Sequence, residues 1–503
     1  MGSKYASQAM TDADSFGEGG VGDGSSSGGD VVRGDRFSGG PAREFLSSLA
    51  ADERIFTADL AVDRAHVVML AERGIVDDET AGEILTALNV VEVDGHDSLP
   101  AGEDVHAAIE TAVVEQVGPD GGRMHTARSR NDEVATCIRY RLREDVLTAL
   151  DETLAFRTTL LDAADVHAET VMPGYTHLQP AQPTTVGHFL ASYEQAVARD
   201  TARLLDAYGR VNRCPLGAAA FAGTPFDIDR KRVAELLGFD AVLGNSMDAA
   251  STRDFLVETV AALANLATTA SGLAEDLVVY SNRGFVELSD DYASTSSIMP
   301  QKKNPDTLEL VRAVAGDAHA GLSGLLSTLK GLPRAYNRDL QRATPHAWDA
   351  ADAVTDAVEV AVGAVATATW NESALEEASS EGFSTATGVA DLLAMSGIPF
   401  RTAHEVVAKA GEANYDALDS AAHEILGDSL AEFVSREEVE SALDPGTSVA
   451  MRDSRGGPSS DAMVEGLSDA EAALAVDEES VAALFESLDS AEELLQNEVN
   501  DYA

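Results

Sequence analysis

The sequence predicts an all-α protein, a three-domain elongated helical bundle, and three observations carry that expectation. Aromatic residues make up only 5% of a chain that is 45% hydrophobic and rich in alanine, a mix that favours helices packed on helices over a sheet sandwich. Apolar residues recur four apart at Val134, Ile138, Leu142, Val146, Leu150 and Leu154, the stripe of one long amphipathic helix. Further long helical stretches follow with short turns between them, as in an elongated bundle. The length of 503 residues agrees with about three domains at about 100–200 residues each.

In chain order, Met1 to about Gly29 is rich in Gly, Ser and Asp without apolar period, and is expected to be a disordered tail. Helical patterning begins near Arg43 and runs through Phe56, Leu60, His66 and Leu70. Gly74 stops that helix, and Asp77 or Asp78 is positioned to cap the next. A third stretch covers Asp104 to Val117 and ends at Gly118-Pro119. The Val134 stripe is broken at Pro173-Gly174, and Thr184 or Thr185 caps a helix through Arg203. Another helix spans Asp254 to about Tyr280. Asn304-Pro305 opens one more, with Asn as N-cap and Pro at the first helical position. Shorter helices follow from about Glu381, then an acidic helical tail from about Ser468. The expected division is a tail over 1–30, an N-terminal helical domain over 31–127, a central long-helix domain over 128–378 and a C-terminal domain over 379–503. No fixed-period repeat and no strand-rich region is visible.

A formal net charge of -51 repels nucleic acid and anionic membranes, so neither is expected as a partner. The normal apolar fraction places the acid on a folded surface. Lysine is confined to Lys4, Lys231, Lys302, Lys303, Lys330 and Lys409. An acidic, lysine-poor surface suits a cytoplasm of multimolar salt, where counterions screen self-repulsion. Cys137 and Cys214 form no disulfide framework and no CxxC pair, so free buried thiols are expected. No apolar run is long and charge-free enough to span a bilayer, and no basic-plus-apolar leader opens the chain. The expected location is cytoplasmic.

The chemistry concentrates in Ser296-Ser297-Ile298-Met299-Pro300-Gln301-Lys302-Lys303-Asn304-Pro305-Asp306. A Ser-Ser or Lys-Lys pair alone is most often a surface turn. This string places two lysines beside a helix N-terminus, a place suited to a carboxylate. It closely resembles the signature loop of the fumarase/aspartase superfamily, in the form used by the argininosuccinate lyase family. Three further blocks resemble that family in the same order: His125-Thr126-Ala127-Arg128-Ser129-Arg130-Asn131-Asp132, Gly174-Tyr175-Thr176-His177-Leu178-Gln179-Pro180 and Tyr336-Asn337-Arg338-Asp339-Leu340-Gln341. Weaker resemblance runs from about Arg36 to Gly457.

The resemblance implies a reversible β-elimination of argininosuccinate to arginine and fumarate through an aci-carboxylate carbanion, without metal or organic cofactor. It implies that Ser296 is the base, activated by Lys302 and loop N–H groups. Lys302 and the helix opening at Asn304 would stabilise the charge developing on the carboxylate. His177, oriented by Glu309, would support protonation of the leaving nitrogen. Implied substrate contacts are Ser48, Asp52, Asp104, Arg130, Asn131, Thr176, Asn304, Tyr336 and Gln341, with the two aspartates at the cationic arginine end. The family also implies a homotetramer with a central twenty-helix bundle and active sites shared between subunits. One departure stands out: the family lysine three residues after Gln341 is Thr344 here, with Arg342 or another cation expected to replace its charge. Fumarase-like relatives lack Gln-Lys-Lys, and a non-catalytic relative would not need Ser296, His177, Lys302 and Glu309 together.

Overall fold

The computed structural model describes residues 41–503, so the tail expected over 1–30 lies outside the described residues. Four helices open the fold: α1 (Pro41–Leu46), α2 (Phe56–Glu72), α3 (Asp78–Asp94) and α4 (Val105–Val117). Asp77 caps α3 by accepting from the Thr80 N–H at 3.0 Å, and Asp104 caps α4 by accepting from the Ala107 N–H at 2.9 Å. Both caps satisfy donors that the first helical turn leaves without partners.

The predicted stripe is the buried face of α5 (Arg130–Val166), 37 residues opened by a capping box in which Ser129 and Asp132 exchange side-chain and backbone bonds. Ile138, Leu142, Val146, Leu150 and Leu154 are buried, while Val134 is half-buried because it borders a cavity. After α5 the chain departs from expectation. Pro173-Gly174 does not simply break a helix: β1 (Val171–Thr176) and β2 (Gln179–Thr185) form an antiparallel hairpin. A Cβ on Gly174 would lie 2.4 Å from the Gln182 carbonyl oxygen, so the strands approach closely only because this residue is glycine. Thr185 then caps α6 (Val186–Val211) through the His188 N–H at 3.0 Å.

Short helices α7 (Arg230–Leu236) and α8 (Ser246–Ser251) lead into α9 (Asp254–Asn282), α10 (Asp306–Leu329) and α11 (Thr344–Ala366). With α5 and α6 these make a five-helix bundle in which α9 packs against α6, α10 and α11, and α11 returns to α5. One expectation needs correction here: α9 is long and apolar enough to cross a membrane, with a mean hydropathy of 1.2 over its most apolar window. Its Leu256, Val260, Leu263, Leu266, Leu273 and Leu277 are instead buried against neighbouring helices. Three two-residue strand pairs tie the loops: β3 (Arg213–Cys214) with β4 (Ala241–Val242), β5 (Val286–Glu287) with β8 (Thr369–Trp370), and β6 (Ser294–Thr295) with β7 (Lys303–Asn304). The last pair shifts the start of α10. Asn304 is held opposite Ser294 in the ladder, Pro305 takes the N-cap position, and Asp306 is the first helical residue.

The segment 379–503 contains two packing environments. Helices α13 (Ala386–Met395), α14 (Phe400–Ala410), α15 (Tyr415–Leu426), α16 (Arg436–Ala442) and α17 (Pro445–Ala450), which follow α12 (Glu372–Ser379), enclose a small core around Leu393, Val406, Leu418, Leu430 and Val439. The final helix α18 (Ser460–Tyr502) leaves it and joins the large core through Met463, Leu467, Leu474, Val481, Leu495 and Val499. Cys137 and Cys214 are free and buried.

Candidate active site

A cavity of about 510 Å³ opens where the loop before η-turn Ala51–Ile55, the start of α4, the start of α5 and the segment 336–348 converge. That volume suits a small-molecule ligand. It gathers seven of the expected substrate contacts: Ser48, Asp52, Asp104, Arg130, Asn131, Tyr336 and Gln341. Five of them are linked by hydrogen bonds in two groups. Ser48 Oγ donates to Asp52 Oδ2 at 2.8 Å, and the Val105 N–H donates to the same oxygen at 3.2 Å. Gln341 Nε2 donates to Ser48 Oγ at 3.4 Å. Arg130 Nη1 donates to Asp104 Oδ2 at 2.8 Å, while Asn131 Nδ2 donates to the Ala220 carbonyl at 3.2 Å.

The two aspartates titrate in opposite directions. Burial raises the Asp52 carboxyl above its ordinary range, against the opposing fields of His106 and its hydrogen bonds. Burial pushes Asp104 the same way, but the charges of His106 and Arg130 and the Ala107 N–H outweigh it, so Asp104 lies below the ordinary range. His125, also on the cavity wall, is held down to about 4 by burial and by Arg128 and Arg130, so it is neutral at pH 7.

Beneath the cavity lies a buried ionic cluster that no local pattern in the chain marks. Arg128 reaches Asp63 at 2.5 Å and Glu133 at 2.9 Å. His106 Nδ1 lies 2.8 Å from Asp59 Oδ2, and Cys137 Sγ donates to Asp59 Oδ1 at 3.2 Å. Burial opposes protonation of His106, but Asp59, Glu133 and Asp104 hold its pKa well above the ordinary histidine value. Three carboxylates then face two cations, and burial raises the Glu133 carboxyl strongly and moves Asp63 to about 6. Asp59, His106 and Cys137, or Asp59, Asp63 and Glu133, present metal-ligand types within 4.8 Å of one another. Arg128 and His106 already supply the positive charge that a metal would bring. Arg128 therefore anchors the backbone from which Arg130 and Asn131 enter the cavity.

The remaining expected residues lie on two other surfaces. Thr176 and His177 are exposed at the tip of the β1–β2 hairpin, where His177 and Leu178 have φ of 56° and 57°. Thr176 borders a second cavity that also involves Phe383 and Arg452 of the C-terminal helices. Asn304 sits in β7 and Glu309 in the first turn of α10, while Ser296 and Lys302 lie on the loop between β6 and β7. Its base is closed by the Ser296 N–H donating to the Lys302 carbonyl at 3.0 Å. Ser296 Oγ accepts from the Met299 N–H at 3.1 Å and from the Ile298 N–H at 3.4 Å. Donors aimed at that oxygen favour its deprotonated form. Lys303 pairs with Asp290 at 2.8 Å and with Glu287 at 3.2 Å, whereas Lys302 is exposed. Among the described residues, no side-chain hydrogen bond joins His177 to Glu309 or the Lys302 ammonium to Ser296 Oγ within one chain.

Every non-glycine residue with positive φ among the described residues adjoins these surfaces: Ala127 precedes Arg128, His177 and Leu178 form the hairpin tip, Ala219 precedes Ala220, and Ala335 precedes Tyr336. Such backbone strain collects at functional sites. His106, His125 and Arg253 also border the first cavity, and their role had no local mark in the sequence beyond the position of His125 in a family block.

The long bundle with its polar signature loop defines a lyase of the fumarase/aspartase class, and comparison with known proteins agrees. A family model described as lyase matches residues 44–319, and one described as argininosuccinate lyase C-terminal matches residues 383–450. Argininosuccinate lyase of Haloarcula marismortui is 66% identical over 480 residues, covering 94% of this chain and 96% of the relative. That of Natronomonas pharaonis is 71% identical over 454 residues, covering 90% and 93%. In solved structures, EDDS lyase in complex with formate superposes with a TM-score of 0.82 at 31% identity, covering 92% of this chain and 96% of that one. The chain belongs to the argininosuccinate lyase family.

Proposed function

We propose that the protein cleaves argininosuccinate reversibly into L-arginine and fumarate, the closing step of arginine biosynthesis, as a soluble cytoplasmic enzyme of a high-salt cell. The observation that carries this reading is the family signature loop, with two backbone N–H groups already aimed at Ser296 Oγ. The 66% and 71% identity to haloarchaeal argininosuccinate lyases supports the substrate.

In the proposed mechanism, Asp52 and Asp104 hold the cationic arginine end of the substrate, with Ser48, Tyr336 and Gln341 fixing its orientation. Arg130, Asn131, Thr176 and Asn304 receive the carboxylates of the succinyl end. Ser296 removes the proton on the carbon next to a carboxylate. The electron pair passes into that carboxylate as an aci-anion, stabilised by Lys302 and the start of α10. It then forms the carbon–carbon double bond as the neighbouring carbon–nitrogen bond breaks. The departing guanidino nitrogen receives its proton with His177 assisting and Glu309 orienting the imidazole.

This chemistry needs three surfaces in one place, and a single chain holds them apart. Sharing of each site among three subunits of a homotetramer answers that need, with five long helices per chain combining into a twenty-helix core. The exposure of Ile298 (83%), Leu310 (69%) and Leu326 (53%) along the signature loop and α10 supports such an assembly. The test is fumarate release from argininosuccinate, followed by ultraviolet absorbance in multimolar KCl. Ser296→Ala is expected to lower turnover about 10²–10⁴-fold; unchanged turnover in that variant refutes its role as base.

A further inference from the structure

The departure at Thr344 leaves a question of charge. Thr344 does border the first cavity, but Arg342, the nearest cation in sequence, is exposed and lies outside the cavity lining. The cations on the lining are otherwise committed. Arg130 bonds Asp104, Arg338 bonds Glu103, His106 bonds Asp59, and His125 is neutral.

Arg253 differs from all of these. It borders the cavity yet is only 2% exposed, at the N-cap of α9, where its side chain caps nothing. Among the described residues, Nη1 donates to the Thr252 carbonyl at 2.7 Å, Nε has no partner, and no carboxylate forms an ion pair with the group. Burial pushes its pKa down to about 10, with only the nearby Tyr336 opposing. Arg139, a second buried arginine bonded to backbone carbonyls, adds further positive potential. A guanidinium buried without a counter-charge is costly, and in a ligand cavity that cost is offset when the ligand brings the anion.

We propose that Arg253 binds the α-carboxylate at the arginine end of the substrate, standing in for the charge absent at Thr344. The choice of carboxylate follows from the cavity's composition. Its two aspartates suit the guanidinium and α-amino groups, so the carboxylate beside that amino group lies in the same cavity. The succinyl carboxylates are received by Arg130 and Asn131 together with Thr176 and Asn304, the last two outside this cavity, so the α-carboxylate is the anion still without a cation there. This assignment rests on the reading of the site as an argininosuccinate lyase.

The test compares inhibition by L-arginine and by agmatine, the same molecule with hydrogen in place of the carboxylate. The native enzyme should prefer arginine by about 10–100-fold, the worth of one charge-assisted hydrogen-bonded pair. In Arg253→Met the preference should fall to within about threefold, with inhibition by fumarate unchanged. Adding Thr344→Lys to that variant should restore part of it. Without ligand, Arg253→Met should melt at a higher temperature than the native protein in the same KCl, because a buried unpaired charge is gone; a purely structural arginine would give a lower one. Native enzyme that does not distinguish arginine from agmatine overturns the assignment whether or not the variant folds. So does an Arg253→Met enzyme that keeps the preference. Failure of the native enzyme to cleave argininosuccinate would remove the parent reading and this assignment together, whereas normal cleavage with an unchanged preference removes the assignment alone.

Discussion

Arg128 illustrates how individual side chains position the site. It is buried between Asp63 and Glu133, and the next residues in the chain are the capping Ser129 and the cavity residues Arg130 and Asn131. Removing one partner of a buried pair leaves the other uncompensated, so Arg128→Ala should cost about 3–5 kcal/mol, read from denaturant unfolding in constant KCl. His66 provides a pH-dependent test at the same scale. Burial and the nearby Arg128 hold it down to about 3, and its Nε2 lies 2.8 Å from the Thr126 carbonyl. Its folded pKa is below the unfolded value near 6.5, so the unfolded chain takes up the proton first. Its contribution to stability is therefore present above about pH 6.5 and lost as pH falls toward 3. In His66→Gln, the dependence of stability on pH between 6 and 4 should weaken by up to about 1.4 kcal/mol per pH unit. Parallel pH profiles for native and variant proteins would contradict this.

Among the elements, the hairpin and the turn before Tyr336 carry the strain. Gly174→Ala would force the Cβ onto the Gln182 carbonyl, separating β1 from β2 and lowering stability by about 1–3 kcal/mol. Ala335 has φ of 68°, so Ala335→Gly should raise stability by about 0.5–1 kcal/mol while raising KM through a looser Tyr336. Thermal melts and initial rates on the same preparations separate the two effects. The helices were legible because their signals are local. The apolar stripe of α5 and the caps at Asp77 and Thr185 each act within a turn or two. The hairpin was not legible, since its two-residue turn is His-Leu where Asn-Gly would be the usual signal, and prolines interrupt both strands. The shifted start of α10 has the same origin: Asn304 reads as a cap until Ser294, ten positions earlier, claims it in a ladder. His106 and Arg253 acquire significance only from burial and neighbours supplied by distant segments. The residues gathered in the first cavity were legible through family resemblance, but not the separation of the three surfaces.

At the scale of the whole molecule, charge and assembly are coupled. A formal charge of -51 per chain would be multiplied in any oligomer. In 1 M salt the screening length is about 3 Å, which confines repulsion to near neighbours. Turnover and sedimentation as the proposed tetramer should therefore both fall when KCl is diluted, and NaCl at equal ionic strength should restore them. Full activity and native compactness in salt-free buffer would refute the salt adaptation. The proposed sharing of sites among subunits makes a separate prediction. Ser296→Ala and Asp52→Asn alter different surfaces, so either variant alone should be nearly inactive. Unfolding and refolding the two together should recover activity, because some mixed sites receive both intact surfaces. A mixture no more active than its parents would mean that each chain completes its own site.

The course of α18 gives the small C-terminal core an unusual standing. Chain leaves the bundle before it, and α18 carries the chain back across α5 and α6 until the Tyr502 carbonyl meets Gly82 of α3. The small core is thus a guest inserted into a host whose own last segment comes after it. Pulling on the two ends of the described chain would load the host first and leave the guest slack. A protease cut within residues 383–451 would leave both fragments moored to the same body, so the nicked protein should migrate intact under native conditions and divide only when denatured.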